Sequence, residues 1–181
     1  MVDSLAPYAD IVQLLRQWEN DLQAREASQI EHLRQYDETV LAEAMSAILV
    51  HADDDIRLMA IDILPEIFSQ DRLIDLLLPC LSDPRSGIRW TICKLFQRYH
   101  DLRVIPAVID VLRNDENPHV RVVAVDVLCE LGDASAIPAL LEAIKFDTGR
   151  NYDGRTVADA AREAVASIEE RMKISSSKQI D

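Results

Sequence analysis

At 181 residues the chain is long enough to bury one well-formed core, and no shift in composition argues for a second domain. Hydrophobic residues make up 49% of it and aromatics only 5%, with four glycines, so the core should be aliphatic and the fold helical rather than built of hairpins. A formal net charge of −13, with no local basic run to offset it, repels phosphate backbones and anionic membrane surfaces and so excludes nucleic acid and membranes as expected partners.

Cys80, Cys93 and Cys129 are an odd set without CxxC spacing. That argues against a disulfide framework or a zinc site and for a reducing, cytoplasmic setting. The opening MVDSLAPYAD has no basic region followed by an apolar stretch, so no signal peptide is expected. No apolar run nears the roughly 20 residues of a membrane span.

From 9 to 36 the chain is polar, helical in period and free of Gly and Pro. Ile11, Leu14, Leu15, Trp18 and Leu22 form one apolar stripe, continued by Ile30 and Leu33. The pattern predicts one long helix, or two with a break near 24–28. Residues 1–37 then form an N-terminal helical cap, with Trp18 packed in its stripe, because a terminal unit must cover one end of a stacked core and show water a polar face.

One phrase follows three times at steps of 32 residues: Ile56-Arg57, Ile88-Arg89 and Val120-Arg121, each opening a helical apolar run. A period of this size marks stacked repeats, here over 38–174 as pairs of helices. In the first helices Met45, Leu77, Ile109 and Leu141 form one column, and Ile48, Cys80, Leu112 and Ile144 another. In the second helices Ala60, Ile92 and Ala124 align, then Leu64, Phe96 and Leu128, then Ile67, Tyr99 and Leu131. No single helix pair can bury such faces, so the units must stack. Pro106 and Pro138 suit first-turn positions. Asp83-Pro84 and Asn117-Pro118 suit joining loops. Gly132 suits a left-handed C-cap.

The last unit departs from the register. Val157, Ala161 and Val165 follow Val120, Ala124 and Leu128 by 37 residues rather than 32, and the extra residues fall in the loop 147–155 (DTGRNYDGR). Residues 175–181 are polar and are expected to form a disordered tail.

These residues resemble the HEAT-repeat family, in particular the short bacterial repeats also found in phycobilisome lyase subunits. The nearest segments are 115–132 (DENPHVRVVAVDVLCELG) and 133–144 (DASAIPALLEAI), and the resemblance covers roughly 38–170. It implies an all-α fold, a right-handed α-solenoid (α-α superhelix) of about four HEAT-like repeats behind the cap. In that family the Arg opening each second helix pairs with an Asp in a helix-joining loop. Arg57, Arg89 and Arg121 match the Arg, and Asp83 and Asp115 match the acid. His51 takes the acid's place in the first unit and Ala158 the Arg's place in the last, so this structural ladder should fade at both ends.

No residue set points to catalysis. His32, His51, His100 and His119 are not followed by Glu, and no two stand three or four apart, so neither a metal site nor a cofactor is expected. Asp53-Asp54-Asp55 lacks the alternating ligands and distal Glu of a calcium loop and reads as a solvated turn favouring the next helix N-terminus. No base stands beside Cys93 or Cys129 to activate a thiol.

The buried direction of the second helices is set by positions 56, 60, 63, 64 and 67, which turns 58, 62 and 65 the opposite way at about 100° per residue. The resemblance places that face on the concave side, exposing two columns: Leu58, Trp90, Val122 and Asp159, then Asp62, Lys94, Asp126 and Glu163. A Trp beside Leu and Val with a mainly acidic rim reads as a binding hot spot. The expected function is a non-enzymatic scaffold or adaptor for a protein partner, with a basic segment suiting the acids. Against this stands Trp90 folded over a neighbouring repeat. The loop 147–155, with Arg150, Asn151 and Tyr152, is a second candidate surface, set against drift without function. A phycobilin lyase subunit or chromophore-handling factor, using Asp62, Trp90 and Asp126, is implied by the resemblance alone. A self-assembling structural module is the third reading.

Overall fold

Ten α-helices and no β-strand occupy the described residues, 5–20 and 27–178, of the computed structural model. In the expected cap, α1 (Ala9–Asn20) and α2 (Ala27–Leu33) bury Ile11, Leu15, Ile30 and Leu33. Leu22 and the Trp18 side chain lie outside the described residues. The side chain before each of the next helices decides where it begins. Asp37 accepts from the Thr39 and Val40 amides at the head of α3 (Glu38–His51). Asp53 accepts from Ile56 at the head of α4 (Asp54–Ile67), and Ser69 from Arg72 at the head of α5 (Gln70–Leu77). Each satisfies an amide that no helical carbonyl can reach.

Further on, α6 (Ser86–Tyr99) ends at His100, whose φ of 48° is left-handed. Proline sits in the first turn of α7 (Ile105–Asn114), α8 (Pro118–Leu131) and α9 (Ile137–Phe146), where its missing N–H costs nothing. Thr156 caps α10 (Val157–Lys178) by accepting from the Asp159 amide. The last helix therefore takes in 175–178 of the expected tail, and 179–181 lie outside the described residues.

The chain divides into two compact units, Met1–Cys80 and Leu81–Asp181. In the first, α4 is central, with α1, α2, α3 and α5 packed on it and Ile56, Ala60, Ile61, Ile63 and Leu64 fully buried. Arg57 is buried on the same helix, its guanidinium donating to Asp54 at 3.0 Å and to the Leu49 carbonyl at 3.4 Å.

In the second unit α8 is central, packed by α6, α7 and α10. Its run Val120, Val122, Val123, Val125 and Val127 is entirely buried. Five β-branched residues are poor helix formers alone, so burial on several sides rather than propensity holds this helix. Arg171 of α10 donates to the Cys129 and Gly132 carbonyls at 2.6 and 2.7 Å, completing the C-terminus of α8. Gly132 there has φ −60°, not the left-handed value expected. A Cβ on it would lie 2.4 Å from the Leu128 carbonyl oxygen and 3.1 Å from Ile168, so close packing rather than backbone handedness calls for glycine.

Two Arg–Asp pairs repeat across the second unit in one geometry. Arg89 Nε and Nη2 donate to the Asp115 oxygens at 2.6 and 2.8 Å, while Nη1 donates to the Asp83 carbonyl at 2.6 Å. Arg121 repeats this on Asp147 at 2.6 and 2.8 Å, with Nη1 on the Asp115 carbonyl at 2.7 Å. Asp147 was not counted among the ladder acids, although it stands 32 residues after Asp115. Its place at the start of the irregular loop obscured it. The ladder thus persists into the last unit as an acid, although Ala158 ends it as an Arg.

The first-helix column is not uniformly buried. Met45 and Leu77 are inaccessible and Ile109 is partly buried, but Leu141 is 52% exposed. Within the units α5 packs on α3 and α9 on α7. Among the described residues no further first helix lies beside α9, which leaves its column position open.

Burial opposes ionisation of Asp147, but the hydrogen bonds from Arg121 and from the Gly149 amide outweigh it and hold the carboxyl below its ordinary 3.8. A depressed carboxyl stabilises fully above its unfolded pKa and loses that contribution as pH falls through the folded value. Asp147→Asn, which leaves Arg121 without its anion, should cost about 3 kcal/mol at pH 7. Urea unfolding should show the gap from wild type begin to narrow as pH falls below about 4, the unfolded carboxyl's range, and close once pH passes below the depressed folded value.

Candidate functional site

The loop after Asp147 is folded on itself. The Asp147 carboxylate accepts from the Gly149 amide at 2.8 Å, and the Gly149 carbonyl accepts from Val157 at 3.0 Å. The Asn151 side-chain oxygen accepts from the amides of Asp153 and Arg155 at 3.1 and 2.9 Å, an Asx-type turn closed by Gly154 at φ +84°. A Cβ on Gly149 would lie 2.6 Å from Pro118 Cβ and 2.5 Å from Arg121 Nη2, so its bare backbone lets the loop lie against the head of α8.

That contact brings the two candidate surfaces of the second unit together. Trp90 of α6 is partly buried and stacks on His119 of α8, with centroids 5.6 Å apart and planes 7° apart. Tyr152 at the loop tip meets the same imidazole at 4.5 Å and 47°, yet is 85% exposed. Lys94 stands over the Trp90 ring at 5.9 Å. Beneath lies a cavity of about 330 Å³ lined by Trp90, His119, Val122, Asp126, Asn151 and Arg155. His119 Nδ1 is buried with no hydrogen-bond partner.

Several expectations change here. Trp90 stacks on His119 of the next second helix rather than standing alone beside Leu58 and Val122. Val122, placed in the exposed column, is 3% exposed and lines the cavity together with Trp90 and the loop residues Asn151 and Arg155. Asp126 is half-buried and does not stand open to a basic segment, because Arg155 donates to it at 2.6 Å; Arg155 also donates to Glu163, which stays 63% exposed. Burial works against the Arg155 charge, but these two carboxylates more than offset it and raise its pKa. Asp159 is exposed, accepts from the Thr156 hydroxyl at 2.6 Å and pairs with Arg162, and the Thr156 bond holds its carboxyl below the ordinary range. Arg150 donates to the Gly154 carbonyl at 3.2 Å. On α4 of the first unit, Leu58 is 38% exposed and Asp62 is exposed.

His119 and Arg155 were not foreseen as members of this site. His119 had been weighed only as a metal ligand, and Arg155 lies outside any column. Cys93 is a core side chain, its thiol pushed up to about 12 by burial first and by nearby Asp115 second. No group of three or more His, Cys, Asp or Glu is placed to hold a metal among the described residues. No helix described is long and apolar enough to cross a membrane.

Gly149→Ala should push the loop off α8 or distort the Arg121–Asp147 pair. Either should cost about 1–3 kcal/mol in urea unfolding.

Residues 105–170 match the family model of HEAT repeats. No curated protein is similar enough to count as a relative. The matched segment runs from the start of α7 into α10 and includes the whole inserted loop. The match supports HEAT repeats over 105–170, and the all-helical packing of the described residues is consistent with an all-α solenoid.

Proposed function

We propose that the chain is a non-enzymatic protein-interaction module, and that its principal site is the Trp90–His119–Tyr152 stack with the loop 147–155 around it. The observation that carries this reading is Tyr152. A folded loop, held at Asp147 and Arg155, keeps a large aromatic side chain 85% exposed beside a half-covered Trp. Little backbone freedom remains in the loop to be lost on binding, and Tyr, Trp and Arg are the residues that most often dominate interface energy. Repeat solenoids use such surfaces for protein partners. The 32-residue register over 38–174 supports a count of about four repeats, while right-handed winding and a likeness to phycobilisome lyase repeats rest on the resemblance alone.

A basic segment of the partner fits the first unit better than the second. Residues 1–80 hold 16 acidic and 5 basic side chains, for −11, whereas 81–181 hold 16 and 14, for −2. Leu58 and Asp62 on α4 are the proposed contacts there. Bilin handling draws no support from the second-unit site, because Asp126, needed for pyrrole nitrogens, faces Arg155.

The test is affinity capture from the native host's soluble extract with wild type, Tyr152→Ala and Trp90→Ala, each checked for helicity. Tyr152 is almost free of packing, so its truncation should leave the fold intact and weaken retention of the partner about tenfold or more. Equal retention by all three proteins would remove the site.

A further inference from the structure

The outer face of α9 turns large apolar side chains to solvent, although no further helix covers them among the described residues. Pro138, Leu141, Glu142, Lys145 and Phe146 form one exposed stripe at spacings of three and four. Leu141 is 52% exposed in a column where Met45 and Leu77 are buried. Phe146 is 68% exposed at a position where the two preceding repeats carry Ser82 and Asn114. Beside it runs a groove of about 440 Å³ whose apolar walls include Leu112, Ala139, Ala143 and Phe146.

The order of residues along the stripe identifies what covers it. It reads Leu141, Glu142, then Lys145, Phe146: apolar, acidic, basic, apolar. Two copies of α9 run antiparallel about a twofold axis between 143 and 144 would set Leu141 against Phe146 of the other copy and Glu142 against its Lys145. A twofold contact requires a self-complementary patch of this kind. Glu142 now reaches Arg113 at 3.6 Å and Lys145 lies over Phe146 at 4.9 Å, both exposed contacts that a facing helix can replace. We infer that α9 is a self-association surface on which a second copy of this chain packs its own α9. The face is separate from the aromatic site, so neither proposal depends on the other.

One helix pair buries less than a standard interface of about 1,600 Å², so the dimer should be reversible. Sedimentation equilibrium of the full chain from micromolar to millimolar concentration should show the mass rising from 20.4 kDa toward twice that value. Glu142→Lys and Lys145→Glu should each weaken the dimer about tenfold or more by setting like charges face to face. The double variant E142K/K145E, which restores opposite charges, should recover wild-type association. A monomer at every concentration, a dimer indifferent to the single changes, or a swap that fails to restore it would each overturn the pairing.

Discussion

The arginine at the second position of each repeated phrase governs the second unit. Arg89 and Arg121 each grip a carboxylate 26 residues ahead with two hydrogen bonds and a backbone carbonyl behind with a third. A planar guanidinium suits that task and a lysine does not, because the geometry needs several donors in fixed directions. Both members of the first pair are nearly inaccessible, at 8% and 3% side-chain exposure, so the charges are desolvated and must meet. The pair fixes the spacing of successive units, while the aliphatic columns supply the burial.

The same constraint builds the candidate site. Asp147 keeps the ladder position, and the surplus residues come only after it, before α10 resumes. An insertion anchored at its root by a partly buried, doubly hydrogen-bonded ion pair need not be floppy. Gly149 lets it lie on α8, Asn151 turns it, and Arg155 ties its far end to Asp126 and Glu163. Tyr152 thereby reaches His119, and the irregular loop and the regular second-helix column become one surface.

Most of the helical architecture was legible because a 32-residue repetition of apolar columns admits few packings. Leu64, Phe96 and Leu128 are buried as their column requires. Register was less informative wherever a neighbour differed. Val122 shares a column with exposed Leu58, yet it is buried on α8 and lines the cavity beside a loop that only the last unit possesses. Leu141 shares a column with buried Met45, yet among the described residues no further first helix lies beside it. His119 and Arg155 have no periodic counterpart, so only folding reveals that they meet Trp90 and Asp126. Charge misled in a related way. Counting acids on one face identified Asp126 and Glu163 but missed the single arginine, distant in register, that bridges them.

The central claim is that the Arg121–Asp147 pair holds the loop on which the site stands. Hydrogen exchange of the Gly149, Asn151, Gly154 and Arg155 amides in wild type and in Asp147→Asn tests it most directly. The account predicts protected loop amides in wild type and loss of that protection in the variant, with the Ile168 amide of α10 still slow. Loop amides that exchange freely in wild type, or that stay protected without the Asp147 carboxylate, would contradict it.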